Sequence, residues 1–220
     1  MGVIVKICGL STSEMVDAAL NAGADMVGFV HFEKNPRHLP LDVGQRLSEQ
    51  VGDRAVKVLV TVDMADMALA AAVAAVKPHA LQLHGHEPPD RVAAISTRFG
   101  LPVIKAIRIG EKPGDIGRIR CYEGIADFLL FDAAPAENGS GLPGGNGTSF
   151  DWTFLPALNL QTPWLLAGGL RPDNVGEAVT KSGAYGVDVS SGVESEPGVK
   201  DAGKIAAFIA NARAAGEARA

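Results

Sequence analysis

Two stretches near the end of the chain decide its fold, LLAGGL at residues 165–170 and GVDVSSGVE at residues 186–194. Each is a short apolar run that ends in small residues and leads into a segment with helical character. Small residues before a helix leave backbone N–H groups free, and these amides and the helix dipole attract an anion. Two such sites on consecutive strands predict a phosphate ester bound between the last two units of a parallel barrel.

The rest of the chain alternates between short apolar runs and helix-like segments. The apolar runs are rich in Val, Ile, Leu and Phe, which is typical of strands buried on both faces of a parallel sheet. We predict strands at residues 3–8, 26–31, 55–60, 80–84, 103–107, 128–132, 164–167 and 186–189, and a last helix over residues 199–213. Eight strands with intervening helices predict a single-domain (β/α)8 TIM barrel over residues 1–220. A doubly wound open sheet is the alternative, but it needs a chain reversal that the sequence does not show.

Composition and charge narrow the class of function. The net charge of −5, from 20 basic and 25 acidic residues, argues against a surface for nucleic acid or anionic membrane. An apolar run of about 18 residues is absent and the first residues enter a strand directly, so we expect a cytoplasmic protein. Cys8 and Cys121 are the only cysteines, and their separation does not fit a metal site.

One long segment, residues 133–149, stands out from the otherwise short connections. It is rich in glycine, at Gly139, Gly141, Gly144, Gly145 and Gly147. Long loops in compact chains are usually functional, so we predict a mobile loop that covers the active site.

The active site of a barrel of this kind lies at the carboxyl ends of the strands. Here these ends carry a thiol at Cys8, a carboxylate at Asp132 and a guanidinium at Arg37, together with the two phosphate sites. The sequence has neither a Walker A loop nor a dinucleotide-binding motif. We therefore predict proton transfer on a phosphorylated small molecule, without a cofactor or a metal.

Seven motifs at these strand ends resemble the phosphoribosylanthranilate isomerase family, in the same order, from residue 3 to about residue 208. They are KICG at residues 6–9, NPR at 35–37, QLHG at 82–85, FDA at 131–133, GGNG with FDW at 144–147 and 150–152, AGGL at 167–170 and GVDVSSGVE at 186–194. Two positions depart from the family pattern, since Asn35 stands where Ser is usual and Asn146 where Thr is usual.

The resemblance implies an enzyme of tryptophan biosynthesis that acts third after chorismate. Its family converts N-(5-phosphoribosyl)anthranilate into 1-(2-carboxyphenylamino)-1-deoxyribulose 5-phosphate by an Amadori rearrangement. An acid opens the ribose ring to a Schiff base, and a base then removes the C2′ proton.

The resemblance assigns the acid to Asp132 and the base to Cys8. An acid that works near neutral pH needs a raised pKa, which burial or a nearby phosphate supplies. Lys6 lies two residues before Cys8 and therefore on the same face of the strand. We expect its charge to favour the thiolate, which is the form that a base requires.

Substrate-binding roles follow from the same resemblance. Arg37 is expected to bind the anthranilate carboxylate through its planar fork, and Asp188 and Gln82 to bind other polar groups of the substrate. For Asp188 an internal salt bridge with Lys6 or Lys105 is the alternative. The residues expected at the phosphate are Gly168, Gly169, Ser190 and Ser191, with Gly145 and Asn146 from the long loop.

The sequence also allows two other functions. The first is another phosphate-binding barrel lyase or epimerase acting on a sugar phosphate. An aldolase would need a Schiff-base lysine, for which Lys105 is the only plausible residue. The second is a phosphate sensor without activity, against which Cys8 and Asp132 argue. The predicted partner is the phosphorylated substrate alone, bound by a monomer or a weak homodimer.

Overall fold

The computed structural model describes residues 2–109, 115–133 and 151–219. Eight parallel strands close into a barrel in chain order, which confirms the predicted TIM barrel. The strands are β1 (Ile4–Cys8), β2 (Met26–Val30), β3 (Val56–Thr61), β4 (Ala80–Leu83), β5 (Val103–Ile109), β6 (Phe128–Ala133), β7 (Trp164–Leu166) and β8 (Gly186–Val189). Because β1 pairs with both β2 and β8, the open-sheet alternative is excluded.

Seven α-helices belong to the described part of the chain. They are α1 (Ser13–Asn21), α2 (Leu41–Val51), α3 (Asp66–Val76), α4 (Pro89–Phe99), α5 (Asp115–Arg120), α6 (Val175–Ser182) and α7 (Ala202–Arg219). None of them combines the length and hydrophobicity that a bilayer span requires. Between β6 and β7 the described residues form a 3-10 turn at Leu155–Leu158. The predicted mobile loop lies outside the described residues beyond Ala133 and stays a prediction.

Side chains of each strand alternate between two cores. In β1, Val5 and Ile7 belong to the large core between the strands and the helices, whereas Cys8 belongs to a second core inside the barrel. That inner core is lined by Cys8, Met26, Val30, Val58, Val60, Ala80, Ile104, Ala106, Leu130, Leu165 and Ala167. The alternation therefore places Lys6 and Cys8 in the barrel interior, as their spacing predicted.

A glycine on β2 makes room for these two side chains. Gly28 is the register partner of Cys8. A Cβ atom at Gly28 would lie 2.8 Å from Cys8 Sγ and 3.1 Å from Lys6 Nζ. A larger residue at this position would therefore displace both side chains from the barrel interior.

The predicted helix over residues 199–213 is wrong at its start. Residues Glu194–Glu196 form β9 and Val199–Lys200 form β10, an antiparallel hairpin, and α7 begins only at Ala202. The reason is the turn between the two strands, where Gly198 adopts a φ of +85° after Pro197. Proline followed by glycine favours a tight turn over a helix start. The hairpin lies beside the carboxyl end of β8 and brings Glu194 and Lys200 toward the site.

Candidate active site

A cavity opens at the carboxyl ends of the barrel strands. The predicted site residues that line it are Cys8, Arg37, Gln82, Asp132, Gly168, Gly169, Asp188 and Ser190. Ser191 begins a 3-10 turn after β8 and does not line the cavity. Gly145 and Asn146 lie outside the described residues, so their predicted contacts stay predictions. Sequence reasoning thus selected side chains and turns that the fold brings to one place.

Cys8 ends β1 at the base of the cavity and is buried as a free thiol. Burial raises the pKa of this thiol above its ordinary value. The charges of Lys6 and Lys200 act in the opposite direction, but they do not outweigh burial. Lys6 therefore lowers the pKa of Cys8, as expected, but not enough to ionise it. At neutral pH the resting side chain is the thiol.

Lys6 is fully buried in the barrel interior and pairs with Asp188 of the neighbouring strand β8. Its Nζ donates to Asp188 Oδ1 over 2.9 Å. Burial by itself lowers the pKa of Lys6. The Asp188 charge and this hydrogen bond raise it by a larger amount, so the pKa lies above its ordinary value. The predicted salt bridge of Asp188 is thus confirmed with Lys6, and Asp188 also faces the cavity.

Asp132 is the next-to-last residue of β6 and is linked to β4 through a histidine. His84 Nε2 lies 3.3 Å from Asp132 Oδ2, and His84 Nδ1 lies 2.9 Å from Gln82 Nε2. All three side chains are buried and line the cavity. With Gln82 donating to Nδ1, the neutral ring carries its proton on Nε2 and donates to Asp132. The amide oxygen of Gln82 has no partner among the described residues.

Arg37 follows β2 and lies across the end of β1. Its Nε donates to Glu194 Oε1 over 2.7 Å and its Nη2 to Glu194 Oε2 over 2.8 Å. The same carboxylate accepts from Lys200 Nζ over 2.6 Å. Arg37 therefore lines the cavity with one edge of its guanidinium already occupied.

The two predicted phosphate sites are turns at the ends of β7 and β8. Gly168 and Gly169 adopt φ angles of +82° and +63°, and their amides have no acceptor among the described residues. A Cβ atom at Gly168 would lie 2.3 Å from the backbone nitrogen of Ala133, so only glycine fits there. On the other side, Ser190 Oγ donates to the Cys8 carbonyl over 3.0 Å.

Lys105 does not line this cavity. Its Nζ is buried beside the β4–α4 connection, where it donates to Glu87 Oε2 over 2.7 Å and to the Gly85 carbonyl over 2.9 Å. The aldolase alternative, which needs a lysine at the substrate, therefore loses its nucleophile.

Sequence reasoning missed the connecting residues of the site. Glu194 was within a quoted motif, but its partner Arg37 lies 157 residues earlier in the chain. Lys200 lies within the predicted helix, and His84 lies within the QLHG motif, from which no contact to Asp132 could be predicted. A buried arginine in a site needs an anionic partner, and that requirement was the available signal for Glu194.

Comparison with known proteins identifies the family. A family model described as N-(5'phosphoribosyl)anthranilate (PRA) isomerase matches residues 5–211. An N-(5'-phosphoribosyl)anthranilate isomerase of Beijerinckia indica subsp. indica is 57% identical over 213 residues, which cover 97% of this chain and 95% of that relative.

Two solved structures share the fold over nearly the full length of both chains. One is a phosphoribosyl anthranilate isomerase in complex with reduced 1-(o-carboxyphenylamino)-1-deoxyribulose 5-phosphate, with a TM-score of 0.83, 33% identity and coverage of 96% of this chain and 99% of that chain. The other is described as monomers of the dimeric isomerase from Thermotoga maritima, with a TM-score of 0.83, 32% identity and the same coverage. This chain therefore belongs to the N-(5'-phosphoribosyl)anthranilate isomerase family.

Proposed function

We propose that this chain performs the Amadori rearrangement of its family, a step of tryptophan biosynthesis, with Cys8 as the base and Asp132 as the acid. One observation carries these roles. Cys8 on β1 and Asp132 on β6 face the same cavity, and β7 and β8 stand between their strands in the closed barrel. A substrate in the cavity would therefore meet a proton acceptor on one side and a proton donor on the other.

The polar ends of the substrate have matching groups in the cavity wall. The amides of Gly168 and Gly169, which have no acceptor among the described residues, suit the phosphate together with Ser190, since backbone N–H groups in a turn attract an anion. Arg37 suits the carboxylate of the anthranilate ring. Asp188 and the amide oxygen of Gln82, which has no partner in the described part of the chain, are available to hydroxyl or amine groups between these ends.

The contacts of Asp132 serve both of its protonation states. As a carboxylate it accepts from His84 Nε2, while Gln82 donates to His84 Nδ1. As an acid it carries its proton on the other oxygen, Oδ1, while Oδ2 still accepts from His84 Nε2. His84 therefore holds one carboxyl oxygen of Asp132 and leaves the other to carry the proton that goes to the ribose ring oxygen.

Cys8 takes the C2′ proton as a thiolate. A buried thiolate is poorly solvated and is therefore a strong base once it has formed. The enolamine becomes the ketone when the Cys8 thiol gives a proton to C1′ and the Asp132 carboxylate takes the proton of the C2′ hydroxyl. Each turnover therefore returns Cys8 and Asp132 to their starting states.

The test is a coupled fluorescence assay that generates phosphoribosylanthranilate in situ and follows its loss. Cys8→Ala and Asp132→Asn should each lower kcat by about two to four orders of magnitude, because each removes a positioned proton-transfer group. Cys121→Ala is the matched control, since Cys121 is exposed and should leave kcat unchanged. An inactive wild-type protein would refute the proposed function, and near-normal turnover in either site variant would refute the role of that residue.

We further propose a monomer or a weak homodimer. A solved structure described as monomers of a dimeric isomerase shares its fold with nearly all of this chain. Sedimentation at micromolar concentration would decide between the two states, and a larger assembly would contradict the proposal.

A further inference from the structure

A buried cluster of charges lies behind Arg37, outside the cavity wall. Its centre is the carboxylate of Glu194, which accepts hydrogen bonds from Arg37 Nε, Arg37 Nη2, Lys200 Nζ and the amide of Gly198. Glu194 is 8% exposed and is not among the residues that line the cavity. It therefore reaches the substrate only through other side chains.

We propose that Glu194 is a positioning residue that fixes the direction from which Arg37 meets the carboxylate of the substrate. The inference rests on the proposed role of Arg37 and deepens it. Glu194 occupies the side edge of the guanidinium, which is formed by Nε and Nη2. The end edge, formed by Nη1 and the second hydrogen of Nη2, is then the only edge with two parallel donors for another carboxylate.

The rest of Arg37 is held as firmly as its head. Its backbone amide donates to Asn35 Oδ1 over 2.9 Å. Its stem lies on Gly9, where a Cβ atom would come within 2.7 Å of Arg37 Cδ. A long side chain fixed at both ends loses little further entropy when it binds a ligand.

The hairpin of β9 and β10 anchors the cluster to the phosphate side of the cavity. Lys200 Nζ, which contacts Glu194, also donates to the Ser190 carbonyl over 2.9 Å. Burial raises the pKa of Glu194, but the hydrogen bonds and charges of Arg37 and Lys200 lower it more, so its pKa is below its ordinary value. Glu194 is therefore ionised at neutral pH.

Charge and orientation give opposite expectations for Glu194→Gln. The substitution removes a negative charge beside the proposed carboxylate site, so electrostatic attraction alone would strengthen the binding of an anionic ring. Gln also presents an N–H to a guanidinium that has only donors, so one bond of the fork is lost. If Glu194 acts by positioning Arg37, the carboxylated ligand must bind Glu194→Gln more weakly than it binds wild type.

The experiment compares two ligands on the full-length protein. One is reduced 1-(2-carboxyphenylamino)-1-deoxyribulose 5-phosphate, and the other is the same compound without the carboxylate. Wild type should prefer the first ligand, and this measurement tests Arg37 itself. Glu194→Gln should weaken the first by about tenfold and leave the second within about twofold. KM should rise about tenfold while kcat stays within about threefold.

Two further variants complete the test. Glu196→Gln removes an exposed acid from the same hairpin and should change neither affinity. Arg37→Met/Glu194→Gln should match Arg37→Met in its preference between the ligands, because Glu194 acts only through Arg37. Equal weakening of both ligands by Glu194→Gln, stronger binding of the carboxylated ligand, or a further loss of preference in the double variant would each overturn the proposal. A wild type without any preference would instead refute the role of Arg37.

Discussion

Replacing Lys6 with Met should destabilise this barrel strongly, although Met has a similar length and is more hydrophobic. Lys6 is 0% exposed, and its Nζ lies 2.9 Å from Asp188 Oδ1. The substitution keeps most of the packing but leaves the Asp188 carboxylate buried without its cation. The loss of folding stability therefore comes from an unpaired buried charge and not from a cavity.

Breaking a buried ion pair by removing one partner costs about 3–5 kcal/mol. The whole free energy of unfolding of a typical domain is about 5–15 kcal/mol, so Lys6→Met should remove a large part of it. Removing both charges costs much less, because no buried charge is then left without a partner. The double variant Lys6→Met/Asp188→Asn should accordingly be more stable than Lys6→Met.

Urea denaturation of the two single variants and the double variant would give the coupling free energy, which we expect to be at least about 2 kcal/mol. Lys181→Met is the matched control, because its ion pair with Glu177 has a length of 2.6 Å but both side chains are more than half exposed. This control should cost less than about 1 kcal/mol. A cost below about 1 kcal/mol for Lys6→Met, or strict additivity of the two substitutions, would refute the reasoning.

Two other predictions concern the base and the phosphate end. Because burial raises the pKa of Cys8, little thiolate is present at neutral pH, and kcat/KM should rise as the pH rises from 7 toward that pKa. A flat profile over this range would contradict thiolate catalysis. Gly192→Ala should lower both phosphate affinity and the unfolding midpoint, because its Cβ would lie 1.8 Å from the Leu170 carbonyl oxygen. Gly117→Ala in α5, where a Cβ meets no atom of the described residues within 4 Å, should leave phosphate affinity and the unfolding midpoint unchanged in the same measurements.

The barrel could be predicted from the sequence because its strands are buried on both faces. Such strands are continuous apolar runs, and their ends at Gly9, Gly85 or Gly168 are marked by small residues. The start of α7 could not be found in the same way. Residues 199–213 contain apolar side chains at helical spacing, whereas the hairpin at Val199–Lys200 depends on a turn and on pairing with β9.

The site was predictable where one strand or one turn determines it. The alternation of β1 alone places Lys6 and Cys8 on one face, and the strand-end rule places Asp132 at the mouth. The contacts between strands were not predictable in this way. Glu194 contacts Arg37 although the two are 157 residues apart in the chain, and His84 contacts Asp132 although they are 48 residues apart. The sign of the Cys8 shift also required the structure, because it depends on how completely the thiol is buried.

The cations around Cys8 are fixed before any substrate arrives, and this arrangement supports the proposed role of the buried thiol as a base. Burial and the charge of Asp188 raise the pKa of Cys8 and so work against its ionisation, while the charges of Lys6 and Lys200 work for it. Each lysine is itself held by a carboxylate, Lys6 by Asp188 and Lys200 by Glu194. These carboxylates offset the cost of burying the lysines, and they hold the positive charges at fixed positions without reorganisation during the reaction. The same ion pairs therefore support the fold and the proposed chemistry, so a substitution such as Lys6→Met should damage both at once.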